Sequence, residues 1–568
     1  MACMKLGTKT DAFRLEGHTW HCTSGLPSDV TVEIGETTFH LHKFPLISRS
    51  GLLTKVIGDS LNEDEHSIVH LDEIPGGSKT FELIARFCYD VKIELTAHNV
   101  ISLRCAAECL EMTDEYGAEN LITLTESFLI EVLGTWTDSM KALESCEEVL
   151  PDAEELFLVS RCITSLATKA CMPFNAAMSS NHENGLTPIV WNGISTSNKT
   201  EITHDDWWYK DVSLLSLHLY KRVIRAIASR GMKPETIAGS LVGYLRRCIP
   251  LLNRELGFTD ANHIKTVSPS EADQRNLLED IVELLPYHKG IVATAFLLRL
   301  LRTAMILHVS PSCQENLEKR VGSQLDSAVL EDILIPNQGF NTVETLYDID
   351  CFQRILEYFM SIDQAPSALC SPSIVEEGSE GGIGPQSLES MTSVANLVDA
   401  FLADVAADVN LKLPQFQSLA AFVPDYARAF SDGIYRAIDI FFKAHPWLTD
   451  CEREQMCKLM NVQKLSLDAS AHAARNERLP IRVIVQVLFF EQVRLRTSIA
   501  GWFYVSENEG GGVVRSQERG GGRTGMGDMR ERVIGLEKEC ESMKYEIRKV
   551  VKLKRSWNIF CKRKIKRI

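Results

Sequence analysis

Between residues 30 and 42 the chain alternates apolar and polar side chains, Val30-Thr31-Val32-Glu33-Ile34 and then Thr38-Phe39-His40-Leu41-His42, on either side of Gly35-Glu36. A period of two places one set of side chains on each face of a pleated ribbon, so the pattern predicts a β-hairpin with one buried face. Helix-like spacing follows from Phe44 to Ile57, then a strand-like Ser67-Ile68-Val69-His70-Leu71, a Pro75-Gly76-Gly77 turn and a helical Thr80 to Cys88. The buried face of the hairpin needs those helices as its cover, which predicts a small mixed α/β domain over 28–125.

Beyond that point the apolar spacing is helical almost throughout, including Asn99 to Met112, Ala118 to Val132, Ser139 to Leu150 and Glu154 to Lys169. Punctuation is clear: Gly231 ends one helix and Pro234 opens the next, Thr449-Asp-Cys-Glu452 reads as a capping box, and Pro480 opens an apolar helix over Ile481 to Leu495. The fold class is α+β, an α/β domain followed by a mostly helical chain. A helical extension covers 126–172 and a linker 173–203; a helical domain covers 204–503, with a loop-like stretch at 364–390. The Gly-rich 504–528 reads as a disordered linker. Past it, Val533, Leu536, Cys540, Met543, Ile547 and Val550 alternate spacings of three and four, a heptad seam that predicts a short coiled coil over 529–553 and leaves a basic amphipathic tail at 554–568.

Charge divides the same way. The formal net charge is -16, yet Lys544 to Ile568 holds 11 Lys or Arg against one Glu, so the tail carries +10 and everything before it -26. A body this acidic repels a phosphate backbone, which argues against nucleic-acid binding. No window reaches the roughly 18 consecutive apolar residues of a membrane span, and MACMKLGTKTD lacks the apolar core of a signal peptide, so an intracellular chain is expected. The 16 cysteines include no Cys-x-x-Cys pair; Cys105 and Cys109, one helical turn apart, read as reduced thiols on a buried stripe.

No catalytic, cofactor or metal set emerges. His18, His21 and Cys22 lie close together without a partner pair, and Pro75-Gly-Gly-Ser-Lys-Thr80 has a Ser between Gly and Lys where a phosphate loop has none. Its better reading is a turn and a helix start.

Longer motifs point to a family. Gly25-Leu-Pro-Ser-Asp-Val30 with Phe39-His-Leu-His-Lys-Phe-Pro-Leu46 resembles the plant branch of the BTB/POZ fold. Asp206-Trp-Trp-Tyr209, Lys233-Pro-Glu-Thr-Ile-Ala-Gly-Ser-Leu241, Leu346-Tyr-Asp-Ile-Asp350, Asp432-Gly-Ile-Tyr-Arg-Ala-Ile-Asp439, Lys443-Ala-His-Pro446 and Asn476-Glu-Arg-Leu-Pro480 resemble the helical domain of the non-phototropic hypocotyl/root phototropism family. The resemblance spans about residues 1–504 in the family's order. It departs at Phe401, where members often have Tyr, so no phosphorylation of that tyrosine is open to this chain.

The resemblance implies a non-enzymatic adaptor that forms homo- or hetero-oligomers through its BTB domain and docks a cullin scaffold, while the helical domain recruits a client. Receptor-like or AGC kinases are the partners of an alternative signalling scaffold. For a dimer or cullin face the candidates are Asp29, Lys43, Leu52, Leu53, Ile57 and Asp59, with Asp29 and Lys43 either a buried ion pair at a dimer cleft or caps of local turns. Ile57-Gly-Asp59 is an imperfect match to the hydrophobic-x-Glu cullin element, and Asp59 is more ordinarily a solvated loop acid. Candidate client residues are Trp207, Trp208, Tyr435, Arg436 and Asp439; the Trp pair more commonly pins a helix to its core, and Arg436 and Asp439 are spaced for a surface pair. In the tail, Trp557, Phe560 and Ile565 recur at helical spacing among Lys562, Arg563 and Lys564, suiting the anionic cytosolic face of the plasma membrane, with a nuclear signal or a solvated end as rival readings. Ser556, behind Lys554-Arg555, is the candidate phosphorylation site.

Overall fold

The computed structural model describes residues 2–10, 13–23, 25–59, 67–71, 73–172, 206–253, 270–337, 344–363 and 385–508, plus isolated positions 534, 535, 538 and 545; side chains at 59, 363, 385–387 and 498–508 are not among those described. The linker 173–203, most of 529–553, Ser556 and the tail residues Trp557, Phe560, Lys562, Arg563, Lys564 and Ile565 lie outside the described residues. The chain divides into two compact units, Met1–Val292 and Ala293–Ile568.

The first unit opens with strands β1 (Cys3–Leu6), β2 (Phe13–Glu16), β3 (Thr19–Cys22), β4 (Val30–Ile34) and β5 (Thr37–Leu41), then helices α1 (Lys43–Ile47) and α2 (Gly51–Asp59), β6 (Ser67–His70), α3 (Gly77–Cys88), β7 (Ile93–Thr96) and α4 (Val100–Cys109). The sheet runs β2-β3-β5-β4-β6, and β1 pairs separately with β7. In the hairpin Val30 faces Leu41 and Val32 faces Phe39; these four are fully buried, and Phe39 meets Phe81 of α3 edge-on at 5.1 Å. Gly35 sits at φ +57 in the connecting turn, a conformation that a β-carbon penalises.

Three expectations are corrected. The sheet begins at Phe13, well before residue 28, because β2 and β3 are four-residue strands too short to show a period in the sequence. Phe44 to Ile57 is two helices: the fully buried Ser50 accepts the Leu53 N–H at 3.1 Å and donates to the Leu110 carbonyl at 2.6 Å, capping α2 from inside the fold. Cys105 is buried but Cys109 is exposed, so the two do not share a buried stripe; burial pushes the Cys105 thiol up to about 12.

Helices α5 (Leu121–Val132), α6 (Trp136–Ser145), α7 (Leu150–Glu155) and α8 (Leu158–Ala170) follow, with Phe157 at φ +56 breaking what reads as one helix from Glu154 to Lys169. After residue 205 come α9 (Tyr209–Val212), α10 (Leu217–Ser229), α11 (Pro234–Cys248, with Pro in its first turn after Gly231 at φ +84) and α12 (Glu271–Leu284). They pack back within the same unit. The fully buried Trp136 meets Trp207 edge-on at 4.6 Å and its indole N–H donates to Asp211 at 2.8 Å, while Arg222 of α10 pairs with Glu154 of α7.

The second unit is helical: α13 (Thr294–Ile306), α14 (Pro311–Gly322), α15 (Leu330–Ile333), α16 (Ile349–Asp363), α17 (Pro385–Val405), α18 (Leu413–Phe422), α19 (Asp432–Ala444), α20 (Asp450–Cys457), α21 (Leu467–Ala473) and α22 (Ile481–Asn508). The Thr449–Glu452 capping box that opens α20 forms in both directions. Helices α17 and α19 approach closely because Gly433 has no side chain: a β-carbon there would sit 2.9 Å from that of Asp399. Phe401 is fully buried against Phe352, centroids 4.1 Å apart, an environment with no need of a hydroxyl. Among the described residues no helix is long and apolar enough to cross a membrane.

Candidate functional site

In the α/β domain, backbone groups at the end of β5 organise a polar knot. Asp29 accepts the Lys43 N–H at 2.7 Å, so its carboxylate starts α1 as a local cap. The Tyr89 hydroxyl accepts the His42 N–H at 2.6 Å and donates to His42 Nδ1 at 2.9 Å, leaving Nε2–H to donate to the Leu26 carbonyl at 3.3 Å; the partners fix that tautomer. The knot holds Gly25 to Asp29 against the start of α1. At this end of the domain Leu26 and Phe44 stand in solvent, 69% and 76% exposed.

Two of the six candidates for a dimer or cullin face lie inside the domain. Leu53 and Ile57 are core residues, 0% and 2% exposed, and only Leu52 of the three apolar candidates reaches partway to the surface. Two i,i+4 stripes run along α2, Leu52 with Val56 and Leu53 with Ile57, and the fold buries the second. Asp59 closes α2, and its side chain is outside the described residues. Leu26 and Phe44 were missed: a lone exposed apolar residue has no periodicity to betray it.

The second cluster lies along the middle of α19. Tyr435 and Asp439, four apart, face α21 and the turn after it. The Tyr435 hydroxyl meets His472 Nδ1 at 2.6 Å; Asn476 donates to Tyr435 at 3.2 Å and to Asp439 at 2.6 Å; Arg478 grips both oxygens of Asp439, Nε at 2.9 Å and Nη2 at 3.0 Å. Burial presses the Asp439 carboxyl upward, but the Arg478 and Asn476 hydrogen bonds and the Arg478 charge outweigh it and hold the group below the usual aspartate range. Burial raises the Tyr435 phenol. His472, Arg475, Asn476 and Arg478 line an open cleft of about 500 Å³ beside this network.

Asp439 therefore pairs with Arg478, not with Arg436: a helix offers neighbours at three and four, but the bidentate guanidinium arriving from the later turn is the better partner. Arg436 is exposed and lines a separate cleft of about 350 Å³ with Asn396 and Phe430. Tyr435 is 5% exposed and offers its hydroxyl inward. Trp208 is fully buried and Trp207 half-buried against Trp136, so this pair is an anchor of the first unit and not a client surface. His21 stacks on His40 at 4.9 Å, and among the described residues no three metal-ligating side chains converge.

The carboxylate of Asp439 contributes stability that is fully present above the ordinary aspartate value of about 3.9 and is lost as pH falls through its lowered folded value. Asp439→Asn is expected to cost about 1–2 kcal/mol at pH 7, the lower part of the range because Arg478 is partly solvated. Urea denaturation from pH 7 to 3 should show the gap between wild type and variant closing below about pH 4; a gap that is constant with pH would rule out the ionised carboxylate as its source.

Residues 21–133 match the BTB/POZ domain and residues 206–470 the NPH3 family. Over 577 residues the chain is 55% identical to a BTB/POZ domain-containing protein of Arabidopsis thaliana, covering 99% of this chain and 97% of that one. A second such Arabidopsis protein is 50% identical over 592 residues, 97% of this chain and 89% of its own. Root phototropism protein 3 of Arabidopsis thaliana is 39% identical over 581 residues, 87% of this chain and 78% of its own.

Proposed function

This chain belongs to the NPH3 family of BTB/POZ domain-containing proteins, and on that premise we propose that it is a substrate-specific adaptor of a cullin-based ubiquitin ligase in plant signalling, of the phototropic or auxin-response kind. The BTB domain self-associates and docks the cullin; the helical domain recruits the client; no step of catalysis belongs to the chain. One observation carries the reading: the BTB domain leaves Leu26 and Phe44 in solvent beside a rigid polar knot, the arrangement of an anchor awaiting a partner. The open cleft beside His472, Arg475, Asn476 and Glu477 offers a polar surface of mixed charge for a client.

The test is a cullin pull-down by the full chain, with oligomeric state followed by light scattering. Wild type is expected to retain cullin and to scatter as a dimer or larger. Phe44→Asp should weaken one of these two associations by about thirtyfold, the loss of a hot spot worth about 2 kcal/mol, without changing the circular dichroism. Ile57→Asp, by contrast, buries a charge in the core and should unfold the domain. Absence of cullin capture by a well-folded wild-type oligomer sinks the ligase role.

The composition of 554–568 favours a second reading, a plasma-membrane scaffold for receptor-like or AGC kinases with no ligase function. In it Trp557, Phe560 and Ile565 insert between the acyl chains and headgroups, and Lys562, Arg563 and Lys564 meet anionic lipid. Phosphorylation of Ser556 then weakens attachment. Sedimentation of the full chain with anionic vesicles, in the same preparation that fails to hold cullin, is the result that selects this reading; a chain left in the supernatant removes it.

A further inference from the structure

Helix α19 (Asp432–Ala444) carries Arg436 between two acids, Asp432 four positions before it and Asp439 three positions after, the spacings at which a helix forms ion pairs. Both acids are engaged elsewhere. Asp439 is held by Arg478 and Asn476, and Asp432 accepts the Ser466 N–H at 2.8 Å while its charge sits in the first turn, where the helix dipole offsets it. Arg436 is exposed and makes no hydrogen bond or ion pair among the described residues. The fold thus leaves one guanidinium without a counter-charge where the sequence supplies two.

That guanidinium lines the cleft of about 350 Å³ between α17 and α19. Ala400, Ala403 and Gly433 give the cleft walls with little side chain, and Phe430 stands beside it, 67% exposed. Asp399, which also lines it, is neutralised by Arg428. The loop that presents Phe430 is tied down from both sides: Lys464 Nζ donates to the carbonyls of Asp425 and Arg428, the Ser431 N–H donates to the Lys464 carbonyl at 3.0 Å, and Arg428 donates to the Val423 carbonyl at 3.1 Å. An aromatic ring on a fixed loop loses little freedom when a ligand arrives. Asn396, exposed on α17, adds an amide with no hydrogen bond among the described residues, and its donor and acceptor match those of a peptide group.

Charge and size select the ligand. One unpaired cation matches one negative charge, and its planar fork fits a carboxylate; a dianionic phosphate would bring a second charge up to Asp399 and Asp432. The volume lies at the lower end of the pockets of about 300–1,000 Å³ that enclose a whole small molecule, so it suits one side chain borne on a longer chain. Asn396 offers that chain's backbone a partner. We propose that the cleft between α17 and α19 binds an acidic side chain of a partner polypeptide, with the carboxylate on Arg436 and an apolar neighbour on Phe430. The inference rests on the reading that the helical domain recruits a client and is separate from cullin docking, so either fails without the other.

Saturation-transfer NMR of peptides with the full chain tests it. The probes are acetyl-Ala-Leu-Glu-Leu-Ala-amide, the same peptide with Gln or Lys at its centre, and 3-phenylpropionate as a free acid. The Glu peptide is expected to bind about fivefold more tightly than the Gln peptide, the effect of one charge-assisted contact at a partly exposed site. In Arg436→Gln, a change at an exposed position, the Glu and Gln peptides should bind alike. Phe430→Ala should weaken both, and Lys443→Gln, at another exposed cation of α19, should preserve the Glu preference. A Lys peptide that binds as well as the Glu peptide assigns the cleft to Asp432 and overturns the proposal. So does 3-phenylpropionate binding where the Glu peptide does not, which assigns a free acid; so do a Glu preference that persists in Arg436→Gln and the absence of any peptide signal from protein with native circular dichroism. Cullin capture is scored in its own assay, so failure of the ligase role shows there and not here.

Discussion

Arg428→Leu is expected to lower the stability of the second unit by about 3–5 kcal/mol, the cost of leaving a buried charge without its partner. Arg428 and Asp399 are 5% and 6% exposed at their side chains. The guanidinium donates to Asp399 through Nε at 3.1 Å and Nη2 at 2.8 Å, and through Nη1 and Nη2 to the carbonyls of Val423 and Ala420. A leucine fills part of the volume but strands the carboxylate of α17 and two carbonyls at the end of α18. Burial already holds the Asp399 carboxyl above its usual range, with Arg428 pulling the other way. Without the guanidinium the folded value rises further, so the variant gains stability as pH falls and Asp399 takes up a proton.

The sign distinguishes this from simple loss of packing. A group whose folded pKa lies above its unfolded value gives stability that is present at low pH and is lost as pH rises through the folded value. The deficit of Arg428→Leu should therefore be largest near pH 7 and smaller near pH 5 in urea titrations. The double variant Arg428→Leu with Asp399→Leu should recover part of the loss, because an apolar pair no longer carries an unpaired charge. A deficit equal at both pH values, with no recovery in the double variant, would falsify the charge argument and leave only a cavity.

How much of this was legible before the fold was known depends on how far apart the partners lie. The β4–β5 hairpin, the Thr449 capping box and the Gly231–Pro234 break are local: donor, acceptor and turn residue sit within a few positions, and the pattern is the structure. Asp439 was legible as a charged residue but not as the partner of Arg478, thirty-nine positions later, because helix spacing offers Arg436 first. Leu53 and Ile57 share their periodicity with Leu52 and Val56, and only the position of α2 in the domain decides which stripe is core. An adjacent Trp pair is consistent both with a binding anchor and with a core pin, and the fold buries Trp208 fully.

That same aromatic cluster supports the other large effect. Trp136→Ala is expected to destabilise the first unit by about 3–5 kcal/mol, the range for emptying a buried large aromatic site. The ring is 1% exposed at the start of α6, is met edge-on by Trp207, and gives its N–H to Asp211. Removal leaves a cavity and an orphaned carboxylate contact together. Trp207→Ala, at a half-buried ring, should cost roughly half as much because less apolar surface is lost. Trp136→Phe keeps most of the volume but not the donor, and should fall between them. Chemical denaturation of the full chain, followed by proteolysis to identify which unit opens first, measures all three. The consequence reaches past stability: Trp136 belongs to the segment after the α/β domain and its partners belong to residues 207–211, so a fragment ending at residue 172 exposes a fully buried tryptophan. Such a fragment should be less stable than one ending at residue 253 by more than Trp136→Ala costs in the full chain, because it also loses the Arg222–Glu154 pair and the packing of α10 on α8. Equal stability of the two fragments would mean that the BTB region completes its own core without the helices that follow, and that Trp136 has no structural partner across the linker.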